Sequence, residues 1–202
     1  MAHSGALRRS LAGMFVVLAA TLAASGCGGP TEIKANSNTI PATVTTFALN
    51  GPAAVHPSAL ALVSTPRAVR MTADYQFDIA VDLDASGAAR LIPVDRVASG
   101  AILPPSRVVG MQKLDKPFDD ITRAPDGGYV NRADLPIAVG DVGVIQSLNH
   151  PYCANVFYVA QNIYAKFVVD AIDPVNRSVR LRLVVDPNCG FRGLETGTLP
   201  SR

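Results

Sequence analysis

The sequence lacks tryptophan altogether, and its 202 residues contain only three cysteines. The missing tryptophan removes the largest flat aromatic surface that a sugar-binding site could use. No Gly-x-Ser-x-Gly, His-Glu-x-x-His or Ser-x-x-Lys motif is present, and no glycine-rich loop follows a strand pattern. The sequence therefore offers none of the common hydrolase or nucleotide-binding signatures, and we expect no cofactor.

A surplus of positive charge is also missing once the first residues are set aside. The formal net charge is +2, but Arg8 and Arg9 precede the one long apolar run. Without these two, the 18 Lys and Arg residues become 16 and equal the 16 Asp and Glu residues. A neutral domain has no basic excess to neutralise phosphates, which argues against a nucleic-acid partner.

The apolar run over residues 11–24 is too short to span a bilayer comfortably. A cationic start, a short apolar core and small residues before a cleavage site are typical of a secretory signal peptide, here residues 1–26. We therefore expect an exported protein.

The end of this segment, Ala24-Ser25-Gly26-Cys27, resembles the lipobox of bacterial lipoproteins. The resemblance implies cleavage before Cys27 and a lipid on its sulfur, so that the membrane is a partner through this residue alone. Lipobox sequences usually carry Leu where Ala24 stands, and an ordinary signal peptide is the alternative. Gly28 after Cys27 resembles an outer-membrane address, which would apply in a cell with two membranes.

The composition divides the remaining chain into three parts. Residues 27–42 are rich in Gly, Pro, Thr, Asn and Ser, which is typical of a flexible tether. We expect one folded domain over residues 43–192 and a loose tail over 193–202. In an exported chain, Cys153 and Cys189 are expected to form a disulfide, with metal ligation as the alternative.

The dominant hydrophobic period in the domain is two, which indicates half-buried strands. The clearest strand, residues 75–84, places Tyr75, Phe77, Ile79, Val81 and Leu83 on one face, and residues 89–94 return as its partner. Pro93 predicts that this partner lies at a sheet edge or carries a bulge. Further strands are expected at residues 43–49, 57–63, 67–72, 105–111, 142–147 and 154–160.

A second hairpin pairs residues 164–172 with 178–186. Polarity predicts a register in which paired residue numbers sum to 350, so that Phe167 faces Leu183 and Asp170 faces Arg180. Residues 112–140 contain several Pro and Gly residues and predict a long excursion between strands. Short strands with frequent turns predict an all-β fold, an antiparallel β-sandwich of the immunoglobulin-like kind, with a small β-barrel as the alternative.

Three kinds of residue are candidates for a functional site. Asp82-Leu-Asp84-Ala-Ser86-Gly87 matches the first half of a calcium loop, but Pro93 stands where an EF-hand needs a glutamate. A hairpin turn with a solvated acidic strand face is therefore the preferred explanation, and a looser surface metal site with Asp78, Asp82 or Asp84 is the alternative. His150-Pro-Tyr-Cys153 places an imidazole near a thiol, and His56 precedes Pro57. Three tyrosines lie close together in the sequence: Tyr152, Tyr158 and Tyr164.

These features predict a lipid-anchored cell-envelope protein whose domain is a non-catalytic binding or structural module, with an envelope protein or glycan as its unknown partner. One alternative is a small envelope hydrolase, which requires His56 or His150 beside a carboxylate in a concave pocket. Another is a carbohydrate-binding module, which requires at least two tyrosine rings exposed in one plane.

Overall fold

Segments of alternating polarity form the strands of the domain, as the hydrophobic period predicts. The computed structural model describes residues 34–52, 55–63, 65–72, 74–97, 107–154 and 160–200. A one-turn α-helix and two 3-10 turns lie between the strands. In chain order the elements are β1 (Ile40–Phe47), β2 (Ala59–Ala61), β3 (Arg67–Val69), β4 (Ile79–Leu83), β5 (Ala89–Pro93), α1 (Val94–Val97), β6 (Val108–Lys113), a 3-10 turn (Phe118–Asp120), β7 (Val130–Asn131), β8 (Leu135–Ile137), β9 (Val142–Leu148), a 3-10 turn (Pro151–Cys153), β10 (Ile163–Asp173) and β11 (Ser178–Asp186).

The strands form two antiparallel sheets whose inner faces share one hydrophobic core. Sheet A has the order β1-β11-β10-β9-β6-β7, and sheet B has the order β3-β2-β4-β5-β8. Neither sheet closes on itself, so the predicted β-sandwich is confirmed over the barrel. The core includes Leu60, Ile79 and Leu91 from sheet B, and Ile145, Phe167 and Leu181 from sheet A.

The hairpin of β10 and β11 follows the predicted register only away from its turn. Phe167 faces Leu183, as predicted, but Ala171 faces Arg180 because Asp170 is an extra residue at a β-bulge. The predicted pair of Asp170 and Arg180 is therefore wrong. Instead, the Oδ1 atom of Asp170 lies 3.4 Å from the Nη2 atom of Arg182. The polarity of the strands and the geometry of the turn require registers that differ by one residue, and the bulge absorbs this difference.

The turn itself explains the shift. The Asp173 carboxylate accepts the backbone N–H groups of Val175 and Asn176 at 2.9 and 3.0 Å. Arg177 adopts a positive φ of 49°. These contacts close a four-residue turn in which Asp173 pairs with Ser178, one residue away from the register that polarity alone predicts.

The hairpin of β4 and β5 is shorter than predicted and does not lie at an edge. Tyr75 has a φ of 49°, so the chain is not extended there and β4 begins only at Ile79. β5 lies between β4 and β8. Pro93 is tolerated because it lies beyond Leu91, the last β5 residue that pairs with β8, so no bond to that strand needs its missing N–H.

Residues 112–140, predicted to be an excursion, contain two short strands and a covering layer. β7 pairs with β6, and β8 pairs with β5. The chain between β6 and β7 packs Ile121 and Ala124 against Val144 and Tyr164 on the outer face of sheet A. This face is therefore partly buried, although the alternation of its strands predicts that it is solvated.

The covering layer also buries a lysine. The Nζ atom of Lys166 on β10 donates to the carbonyl oxygens of Phe118 at 3.0 Å and Ile121 at 2.9 Å. It also lies 4.6 Å from the centre of the Phe118 ring. Burial lowers the pKa of Lys166, and the two carbonyl oxygens replace part of its lost hydration.

The folded domain begins earlier and ends later than the predicted range of 43–192. β1 starts at Ile40, and the backbone N–H of Thr39 donates to the Thr198 carbonyl at 2.9 Å. Leu194 is fully buried, so the predicted tail also packs against the domain. Composition alone missed both ends because their bonds are made to distant parts of the chain.

Several sequence predictions fall outside the described residues. These are the signal peptide, Cys27 with its lipobox, Tyr158 and most of the strand predicted at 154–160. Among the residues that are described, no helix is both long and apolar enough to cross a membrane.

Candidate functional site

A buried cluster of polar side chains joins the two sheets at one end of the sandwich. Asp78 comes directly before β4, and Ser147 lies on β9 with the same inward parity as Ile145. His150 follows β9, and Arg107 comes directly before β6. All four side chains are buried. Because they start from different sheets, the folded sandwich brings them together.

Asp78 is the centre of this cluster. Its Oδ1 atom accepts a hydrogen bond from the Ser147 hydroxyl at 2.9 Å and lies 3.2 Å from His150 Nε2. The same oxygen lies 3.4 Å from Arg107 Nη2, and Oδ2 accepts the backbone N–H of Leu62 at 2.9 Å. Burial alone would raise the pKa of Asp78, but His150, Arg107 and the Leu62 N–H lower it to about 2.

Arg107 and His150 make further bonds that fix them in place. Arg107 donates to the carbonyl oxygens of Tyr75 at 3.2 Å and Phe77 at 2.7 Å. The Nδ1 atom of His150 accepts the backbone N–H of Tyr152 at 3.1 Å. A ring that accepts at Nδ1 carries its proton on Nε2, which is then free to donate to Asp78.

The three residue types of a catalytic triad are present, but their order is different. In a triad the serine donates to the histidine, which activates it, and the aspartate orients the histidine. Here Ser147 donates to Asp78 itself, so serine and histidine share one acceptor. The arrangement holds a buried carboxylate and links the two sheets; it does not present an activated hydroxyl.

The two histidines therefore differ from what a hydrolase requires. His150 does lie beside a carboxylate, but it is 5% exposed and sits in the core wall. His56 is exposed, and its ring packs against Phe47 with 4.5 Å between ring centres. Within the described residues, no carboxylate lies within ion-pair distance of His56.

Cys153 and Cys189 form a disulfide, as predicted, with a Cα–Cα distance of 5.8 Å. The bond fastens the turn that carries His150 to the residues after β11. Because the sulfur of Cys153 is bonded to Cys189, it does not form a Cys–His nucleophile with His150 in this structure.

The three acidic metal candidates do not converge. Asp78 lies in the cluster, whereas Asp82 bonds the side chain of Asn50 at 3.1 Å and that of Arg90 at 3.0 Å. The Asp84 carboxylate closes the turn that follows β4, where it accepts the backbone N–H of Ser86 at 2.7 Å. In the described parts of the chain, no three His, Cys, Asp or Glu residues are grouped as metal ligands.

The prediction that this acidic strand face is solvated is wrong for two of the three residues. Asp78 and Asp82 are almost fully buried, because each meets an arginine that the local sequence pattern does not reveal. Only Asp84 is exposed.

The tyrosines do not form a shared surface either. Tyr152 is 49% exposed, but Tyr164 is buried under the covering layer. The Tyr164 hydroxyl accepts from Gln146 at 3.0 Å. Of the two candidate rings that are described, only one is therefore available to a sugar.

Two open depressions of about 600 and 460 Å³ both have residues 114–116 in their walls. Each wall carries charges of both signs: the ion pair of Lys113 and Asp141 in the larger depression, and Asp120 with Arg123 in the smaller one. Neither histidine lines them. Mixed charge gives neither depression a field that would select an anion or a cation.

Comparisons of the chain with protein-family models, curated proteins and solved structures found no match. The sequence pattern missed Arg107 and Ser147 as members of the cluster. One signal was available for Ser147, which is a polar residue on the inward parity of an apolar strand. Arg107 carried a similar signal, because it lies in the strand predicted at residues 105–111 with the same parity as the buried Val109 and Met111.

Proposed function

We propose that this chain is an exported, lipid-anchored cell-envelope protein whose β-sandwich is a non-catalytic binding or structural module. The observation that carries the proposal is the pairing of Cys153 with Cys189. It leaves Cys27 as the third cysteine, in the segment that resembles a lipobox. A disulfide also suits an oxidising compartment outside the cytoplasm.

The buried polar cluster supports the non-catalytic part of the proposal. The Ser147 hydroxyl and the His150 imidazole are both directed at Asp78, and all three groups are closed off from solvent. Polar groups used in this way stabilise a unique arrangement of the two sheets. A binding module needs such rigidity, whereas a hydrolase needs an accessible nucleophile.

The anchor is tested with Cys27→Ser. Lipoprotein cysteines carry two or three acyl chains, and stable anchoring needs at least two membrane signals. Expressed in a bacterium, the unaltered chain should enter the detergent phase on phase separation and incorporate labelled palmitate. The Cys27→Ser variant should do neither.

Thr31→Ser is the matched control, because it alters the same segment without removing a thiol and should behave like the unaltered chain. Retention of the Cys27→Ser variant in the detergent phase would overturn the anchor. It would leave the fold and the disulfide unaffected.

A further inference from the structure

Another buried carboxylate, Asp186, lies at the end of β11 and has no solvent exposure. Its Oδ1 atom accepts two hydrogen bonds from Asn188, one from the backbone N–H and one from Nδ2, both at 2.8 Å. Its Oδ2 atom is buried and has no hydrogen-bond partner among the described residues. Such an oxygen has lost its hydration without replacement, which disfavours the ionised form.

Asn188 connects this carboxylate to the N-terminal segment, by which we mean residues 36–39. The Asn188 Oδ1 atom accepts the backbone N–H groups of Asn36 at 2.9 Å and Ser37 at 3.1 Å. Its Nδ2 atom donates to the Ser37 carbonyl at 2.8 Å. One amide side chain therefore holds the start of the domain, and Asp186 holds that amide.

Charged groups on the surrounding elements do not neutralise Asp186. Tyr164 on β10 is the cross-strand partner of Asp186. On the same strand, the Nζ atom of Lys166 donates its hydrogen bonds to two carbonyl oxygens. None of the described residues forms an ion pair with Asp186. Other titratable groups near these elements include Arg192, which pairs with Asp126 and lies near Arg123. Asp119 and the exposed Glu195 lie near Lys166.

We propose that Asp186 is a proton-sensitive latch on the N-terminal segment, which docks more tightly when this carboxyl is protonated and loosens when it is ionised. Undocking of residues 36–39 uncovers Asn188, and water then reaches the carboxylate behind it. The ionised form gains hydration in the undocked state alone, so ionisation favours undocking.

The size and direction of the effect follow from linkage. Burial raises the pKa of Asp186 from 3.8 to about 6, although the two bonds from Asn188 offset part of the cost. Between these values the docked state holds more protons than the undocked state, so docking strengthens as the pH falls and weakens as it rises. A difference of about two pH units corresponds to about a hundredfold change in the docking equilibrium.

The test is hydrogen exchange of the Asn36 and Ser37 amides in the full chain, corrected for the intrinsic pH dependence of exchange. Their protection should fall by tens of fold between pH 4 and pH 7. The Asp186→Asn variant keeps the shape and removes the titration, so its protection should stay flat. Asp170→Asn, on the same face of sheet A, should behave like the unaltered chain.

Constant protection in the unaltered chain, or the same fall in Asp186→Asn, would overturn the latch. If that variant does not fold, nuclear magnetic resonance of the unaltered chain still tests the proposal. The Asp186 carboxyl carbon and the two amides should then titrate together, with a midpoint near pH 6. Amide chemical shifts that do not change with the titration of Asp186 would refute the proposal. This outcome does not depend on whether Cys27 carries a lipid.

Discussion

Replacing Asp78 with Asn tests whether the buried cluster stabilises the sandwich through its charge. The substitution keeps the size of the side chain but removes the negative charge that faces Arg107 at 3.4 Å. It leaves a buried guanidinium without a counter-charge, and breaking a buried ion pair in this way costs about 3–5 kcal/mol. We expect a loss of that size in the free energy of unfolding at pH 7.

The pH dependence separates a loss of charge from a loss of packing. The pKa of Asp78 is lowered from 3.8 to about 2. A lowered pKa gives stability that is present above the unfolded value and is lost as the pH falls through the folded value. At roughly 1.4 kcal/mol for each pH unit, the full contribution is about 2–3 kcal/mol, of which roughly half is lost at pH 3.

The assay is urea unfolding followed by circular dichroism, since the chain has no tryptophan to report by fluorescence. The gap between the unaltered chain and Asp78→Asn should narrow by about 1 kcal/mol between pH 7 and pH 3. The exposed Asp115→Asn variant is the control and should stay within about 0.5 kcal/mol of the unaltered chain. A gap that does not change with pH would refute the electrostatic explanation and leave only packing.

Two further predictions concern covalent and steric constraints. Replacing both Cys153 and Cys189 with Ala should lower the unfolding free energy by about 3–4 kcal/mol, because the bridge spans a sequence separation of 36; a loss below about 1 kcal/mol in urea unfolding would contradict this. Gly143→Ala would place a Cβ atom 2.5 Å from the Gln112 carbonyl oxygen and 2.6 Å from the Phe167 ring, and should cost about 1–3 kcal/mol. Gly127→Ala, where nothing lies within 4 Å, is its control, and equal effects of the two in thermal unfolding would refute the steric argument.

The local pattern of the chain was sufficient to predict the β-sandwich and its two hairpins, but not the edges or irregularities of the sheets. Alternation fixes which face of a strand is buried, so Phe167 and Leu183 could be paired correctly from polarity. The bulge at Asp170 depends on the turn that Asp173 closes, and polarity carries no information about turn closure. The ends of the domain were missed for a similar reason, since Thr39 bonds Thr198, which lies at the other end of the domain.

The candidate site was predictable only in part, because its members are far apart in the sequence. Asp78 and Ser147 are separated by 69 positions, and no spacing rule links them. The sequence did single out Asp78 and His150, but Asp78 for a surface metal site and His150 for a thiol pair or a hydrolase site. The structure brings these two residues together for a different purpose, which is to join the sheets.

Two of the buried aspartates, Asp78 and Asp186, show why residue type alone could not have predicted the electrostatics of this protein. Asp78 and Asp186 are both closed off from solvent, and in both cases burial disfavours the charge. Arg107 and His150 reverse that effect at Asp78, whereas among the described residues Asp186 accepts hydrogen bonds only from the amide and backbone of Asn188, which are dipoles. Their pKa values therefore move in opposite directions, and they affect the fold over adjacent pH ranges. The charge of Asp78 ties the sheets together at any pH above about 4, while the latch proposed at Asp186 responds near pH 6.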